Sequence, residues 1–129
     1  MARIRWAALC VAVFACVYSF PLAASEPLRG SVISCDTAEQ VKMVGSLVDE
    51  GKTNEEAMTS VNADAGTTAC AVIVVVYVRG EPQGDINVRG KDCTVYQIEI
   101  IGVSLNGLWM QVSPPHVQYA PFLADGRPA

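Results

Sequence analysis

The chain has 129 residues, 51% of them hydrophobic, with 13 acidic side chains against 9 basic ones. A net charge of −4 is the wrong sign for neutralising nucleic-acid phosphates or for attraction to anionic lipid, so neither is expected as a partner. The length suits one domain with one modest core.

The N-terminus has the pattern of a secretory signal peptide. Arg3 and Arg5 precede an apolar run from Trp6 to Phe20, and small residues follow this run. The pattern predicts that residues 1–24 are removed and that 25–129 form a single domain. The mature protein is then expected in the periplasm or secreted, without membrane insertion.

Two alternatives to cleavage near residue 24 remain open. The apolar run is shorter than the roughly 18 residues that a membrane span requires, which disfavours an uncleaved anchor. Lipidation at Cys16 is the second alternative. Cleavage would remove Arg3 and Arg5, lowering the basic count from 9 to 7 against 13 acids, so the mature net charge is about −6.

The mature chain retains three cysteines: Cys35, Cys70 and Cys93. Export places them in an oxidising compartment, where two thiols normally form a bridge and one is left over. Of the three pairings, we favour Cys35 with Cys70. These residues lie just before the first predicted helix and just after the second, so the bridge would close the helical pair at its base. Cys93 is then either a small buried hydrophobe or available for an intermolecular bridge.

The most informative segment for the fold is the apolar run from Ala69 to Val78. Its Val and Ile content favours a β-strand, and both of its alternating faces are apolar. Such a strand is typical of a sheet centre buried on both sides. The helices and the other strands of the mature chain are expected to pack around this strand.

Two short amphipathic helices precede this strand. The first is predicted to start at a capping box, Asp36–Glu39, and to end at Gly51. The second is predicted to start at a capping box, Thr53–Glu56, and to end at Gly66. Helices this short are not stable alone, so both should pack on the sheet.

A series of strands is predicted after Val78. Residues 80–84 have the composition of a turn, followed by a brief strand over 85–89 and a longer one over 92–103. Asn106-Gly107 predicts a two-residue hairpin, with Ser104 opposite Trp109. Pro114-Pro115 is expected to end regular strand pairing.

The ends of the mature chain are predicted to be loose. Residues 25–30 should form a flexible lead-in before a short edge strand over 31–35, and residues 124–129 should form a frayed tail. The fold class predicted overall is α+β, with a two-helix pair packed on a mostly antiparallel sheet of about four to five strands.

No pattern in the sequence indicates catalysis. His116 is the only histidine and follows two prolines, and no Ser or Cys has a spacing that identifies it as a partner. Three dispersed thiols and one histidine do not have the spacing of a zinc site. We therefore predict no enzyme, no metal and no cofactor, with a thiol-dependent enzyme centred on Cys93 and His116 as the alternative.

The segment from Trp109 to Phe122 is the candidate binding edge. Trp109, His116, Tyr119 and Phe122 occur late in the chain, near a hairpin and a proline-rich loop, and aromatic side chains are enriched at protein interfaces. The alternative is that Trp109 only closes one side of the core.

The mature chain resembles a group of uncharacterised small exported proteins of alphaproteobacteria. The resemblance lies in the residues Cys35-Asp36-Thr37-Ala38-Glu39-Gln40-Val41, Val61-Asn62, Cys70 with its apolar run, Trp109 and Val117-Gln118-Tyr119. It implies periplasmic export and agrees with pairing of Cys35 and Cys70. It implies no activity and no binding residues.

From the sequence we predict an exported, non-enzymatic protein, specifically a small protein-interaction module. The partner and the oligomeric state are not specified by any pattern in the chain. The alternatives are the thiol-dependent enzyme and a structural envelope protein that acts as a homodimer.

Overall fold

The computed structural model describes residues 26–129, so the predicted signal peptide lies outside the described part of the chain. Its helices and strands are β1 (Leu28–Cys35), α1 (Ala38–Asp49), α2 (Asn54–Ala65), β2 (Cys70–Val88), β3 (Lys91–Leu105) and β4 (Leu108–Leu123). Consecutive strands pair antiparallel. The α+β class with a helical pair is confirmed, with four strands in the described chain.

Both helices begin with a capping box, one of them at the predicted position. In α2, Thr53 and Glu56 cap each other's backbone as predicted. In α1, the predicted box at Asp36 is wrong, because Thr37 accepts a hydrogen bond from the backbone N–H of Gln40 at 3.2 Å and Gln40 reciprocates. Asp36 therefore lies outside the helix, and its carboxylate accepts a hydrogen bond from Gln118.

The predicted disulfide is confirmed. Cys35 and Cys70 are bonded and lie directly opposite each other in the β1–β2 ladder, with a sequence separation of 35 that encloses both helices. The bridge thus closes the helical pair at the point where it joins the sheet. Cys93 is the free cysteine of the described chain, and it is buried.

Strand β2 is central but is not buried on both sides. Val75 and Tyr77 are fully buried, whereas Val72 is 54% exposed and Val74 is 43% exposed. The prediction of two buried faces is therefore wrong for this part of the strand. Two helices of 12 residues each are too short to cover the whole outer face of the sheet.

The turn predicted over residues 80–84 is not a turn. The chain continues through it as part of β2, with register shifts on both sides of Pro82 and a φ of +130° at Gly84. Such irregularities bend a strand without ending it. The β2–β3 turn lies at Arg89 and Gly90, both with positive φ, and β3 follows at Lys91.

The β3–β4 hairpin turns at Asn106-Gly107 as predicted, with Leu105 paired to Leu108 and Ser104 opposite Trp109. The prolines at 114 and 115 do not end β4, which continues to Leu123. They lie where β4 loops away from β3, because the pairing skips from Gln111 to His116 on β4.

Both ends of the described chain are more ordered than predicted. Strand β1 begins at Leu28, inside the predicted lead-in, and pairs with β2 along its whole length. The predicted frayed tail is wrong, because Pro128 forms a bridge to Phe122 and the Ala129 N–H donates to the Pro121 carbonyl at 3.0 Å.

Two apolar clusters stabilise the fold. One lies between the helices and the sheet and includes both bonded cysteines. The other combines buried side chains from all four strands: Val32, Val75, Tyr77, Ile98, Ile100, Ala120 and Phe122. The sheet closes on itself through a single residue pair, Cys35 of β1 with Tyr119 of β4. No helix within residues 26–129 has the length and apolarity needed to cross a membrane.

Candidate interaction surface at the β3–β4 hairpin

The end of the β3–β4 hairpin extends past its neighbouring strands. Pairing of β2 with β3 stops at Val103, and pairing of β4 with β1 occurs only at Tyr119. Among the described residues, β3 after Val103 and β4 before Tyr119 therefore have no strand partner except each other. We refer to residues 104–113 as the hairpin arm. Its backbone edges have no strand partner within 26–129.

Large apolar side chains on the arm are exposed to solvent. Their exposed fractions are 52% for Leu105, 71% for Leu108, 43% for Trp109 and 53% for Met110. Successive residues of a strand point to opposite faces, so Leu108 and Met110 lie on one face of the arm and Trp109 on the other. The arm is therefore apolar on both faces.

The arm also lies in an uncharged part of the chain. Residues 100–124 contain no Asp, Glu, Lys or Arg, although the whole chain has 22 such residues. Exposed strand edges are usually protected by charged side chains, Lys above all. This charge pattern is visible in the sequence, and it is the signal by which sequence reasoning would have found the arm.

Trp109 has a defined neighbour. The Arg29 guanidinium carbon lies 4.4 Å from the centroid of the indole ring, within the range of a cation–π interaction. Both side chains line an open cavity of about 350 Å³, together with Val76 and Gly102. Trp109 is thus held against the sheet on one side while 43% of it stays exposed.

His116 belongs to a separate polar cluster at the disulfide end of the sheet. The buried amide of Gln118 is its centre: its Nε2 lies 2.9 Å from Asp36 Oδ1 and 2.9 Å from His116 Nε2, and its Oε1 accepts from the Ser34 hydroxyl at 2.9 Å. These side chains line an open cavity of about 200 Å³. Since Ser34 donates to Gln118 and not to His116, the cluster lacks the nucleophile–base contact of a hydrolase.

Besides His116, two more of the predicted edge residues lie away from the arm. Phe122 is fully buried in the interior cluster, with ring centroids 5.8 Å from Tyr77 and 5.6 Å from Tyr96. Its assignment to a binding edge is wrong, because a side chain without exposed surface contacts no partner. Tyr119 is half-buried and packs against the cluster beneath the helices. Of the predicted edge, only Trp109 lies on the arm.

Cys93 and His116 are not brought together. Cys93 is opposite Leu123, whereas His116 is opposite Ile100, seven positions further along β3, which corresponds to a distance on the order of 20 Å. Burial, and to a lesser extent the charge of Asp92, raise the pKa of the Cys93 thiol, which makes it a poorer nucleophile. Within residues 26–129 there is also no group of three or more His, Cys, Asp or Glu side chains placed to hold a metal ion.

The fold and its surface define a small, disulfide-bonded α+β domain with an uncharged, exposed hairpin arm. No protein-family model, no curated protein and no solved structure matches this chain.

Proposed function

We propose that this protein is an exported, non-enzymatic protein-interaction module and that the hairpin arm is its contact surface. The observation that carries the proposal is the concentration of exposed apolar side chains on a segment without charge. Scattered exposed apolar residues are normal, but contiguous ones mark interaction sites.

The arm has the two features that strand-based recognition uses. Its backbone edge, which has no strand partner within residues 26–129, offers N–H and C=O groups to an extended partner, and its side chains offer apolar area on both faces. Trp109 is a rigid aromatic anchor, a residue type enriched among interface residues that dominate binding energy. Val112 packs against the interior cluster. Leu105, Leu108 and Met110 are each more than half exposed, so their apolarity serves something other than the core.

The proposal of export rests on the sequence pattern at the N-terminus together with the Cys35–Cys70 disulfide. Stable disulfides form in oxidising compartments such as the periplasm or the extracellular space. The resemblance to exported proteins of alphaproteobacteria points to the same location. We propose the periplasm or the extracellular space as the place where the arm meets its partner.

The proposal of a non-enzymatic role rests on the chemistry of the reactive side chains. The thiol of Cys93 is buried, and the amide of Gln118 already binds three partners in the polar cluster. His116 faces an amide that neither attacks a substrate nor stores a proton.

The test is site-specific photocrosslinking in the native cell. A photoreactive residue replaces Leu108, which is 71% exposed on the arm, and in a matched control it replaces Lys91, which is exposed near the other hairpin turn. We expect Leu108 to yield a discrete crosslinked protein band that Lys91 does not yield. Equal crosslinking from both positions, or none from Leu108, would contradict the proposal.

A further inference from the structure

We propose that the occupant of the hairpin arm is a second copy of this chain, joined through antiparallel pairing of the two β4 edges. This inference rests on the proposed function, because it names the partner of the same surface. It follows from the backbone edge, from the charge distribution and from the symmetry of the pairing.

The backbone edge requires a strand as occupant. In the described chain, β4 between Leu108 and Gln118 pairs only with β3, so its outer N–H and C=O groups have no strand partner. Covering the arm with an apolar surface, such as lipid, would leave these groups without hydrogen bonds, which is unfavourable. An extended strand satisfies them. Pro114 and Pro115 lack N–H groups and limit the usable edge to residues 108–113.

The charge distribution makes the arm the place where two copies can meet. The chain is acidic, with a mature net charge of about −6 if the predicted signal peptide is removed, so two copies repel each other over most of their surface. The arm has no charge, and residues 100–124 are the stretch through which two copies approach with least repulsion. A foreign acidic or basic partner would find no complementary charge on the arm itself to guide it.

The symmetry of the pairing gives its register. When two identical antiparallel strands are related by a two-fold axis perpendicular to the sheet, one residue lies opposite its own copy. Met110 is the centre of the segment 108–112, between the hairpin turn and the prolines. The pairing then places Leu108 opposite Val112 of the second copy, and it closes after two copies because such an interface is isologous.

The first experiment is sedimentation of the purified, oxidised protein between about 1 and 500 µM, a range that detects weak association. We expect a concentration-dependent monomer–dimer equilibrium. Met110→Lys places two like charges opposite each other and should raise the dissociation constant at least about tenfold. Val72→Lys is the matched control, because Val72 is 54% exposed on β2 against 53% for Met110, and it should leave the equilibrium unchanged.

The second experiment tests the register directly. Met110→Cys should form a covalent dimer on mild oxidation, since directly opposite residues lie within disulfide distance, whereas Val72→Cys should not. A protein that stays monomeric throughout, or a dimer that Met110→Lys leaves intact, overturns the inference. If the protein is monomeric but Leu108 still crosslinks to another protein in cells, the inference fails and the proposed function stands. If Leu108 crosslinks to nothing, both fail.

Discussion

The two ends of the sheet are built in opposite ways. At the disulfide end, Cys35 is bonded to Cys70, and the amide of Gln118 connects β4 to Ser34 and Asp36. At the other end, the hairpin arm has exposed apolar side chains and unpaired backbone edges in the described chain. The first end holds the helices and the sheet together, whereas the exposed side chains of the arm form the surface that we propose for binding.

The largest expected effect comes from comparing a buried aromatic residue of the interior cluster with the exposed one on the arm. Phe122→Ala removes a ring that is fully buried between Tyr77 and Tyr96, and it should lower the free energy of unfolding by about 3–5 kcal/mol. Trp109→Ala removes a ring that is 43% exposed and should lower the stability by about 1–2 kcal/mol, through loss of the Arg29 contact and of the buried part of the ring. Urea unfolding followed by circular dichroism measures both.

If Phe122→Ala does not fold, Phe122→Leu gives the same comparison with a smaller loss. Similar losses for the variants at 109 and 122 would mean that the arm belongs to the core, and the comparison between the two ends would not hold. A stable Trp109→Ala variant is also the natural reagent for binding experiments.

The disulfide gives the next largest effect. A bridge across 35 residues restricts the unfolded chain by an amount worth on the order of 3–4 kcal/mol in loop-closure entropy. Cys35→Ala and Cys70→Ala should each lose about this much, and reductant should destabilise the unaltered protein to a similar extent. Cys93→Ala should lose only about 1 kcal/mol, because it removes one small buried group and no bridge. Equal losses at all three cysteines would show that the destabilisation reflects packing and not the bridge.

Local patterns predicted the parts of the fold that depend on local chemistry. Thr53 and Glu56 are one helical turn apart, Asn106-Gly107 has the positive φ angles that a tight hairpin needs, and Cys35 and Cys70 flank the helical pair. In each case a few neighbouring residues fix the geometry. Those predictions needed no knowledge of the rest of the chain.

The wrong predictions depend on distant parts of the chain. Residues 80–84 look like a turn, but pairing with β3 keeps them in a bulged strand. Asp36 fits a helix cap as well as Thr37 does, and its contact with Gln118, 82 positions away, is invisible in the local pattern. The prolines near Phe122 suggest a surface loop, whereas the pairing of Phe122 with β3 places its ring in the interior. Burial is a tertiary property, and one sequence specifies it poorly.

The polar cluster at the disulfide end should give a smaller effect than loss of the disulfide, and it is the sharpest test of how that end is closed. Gln118→Met keeps an unbranched side chain of similar size but removes the acceptor of the buried Ser34 hydroxyl and the donor to Asp36. A buried hydroxyl left without a partner is unfavourable, so we expect a loss of about 2 kcal/mol in chemical denaturation. The double variant Ser34→Ala with Gln118→Met removes both groups and should recover part of this loss, because no unsatisfied hydroxyl then remains. If the double variant loses as much unfolding free energy as the two single variants together, or more, the hydroxyl–amide contact does not close this end. The disulfide and apolar packing alone then hold β1 against β4.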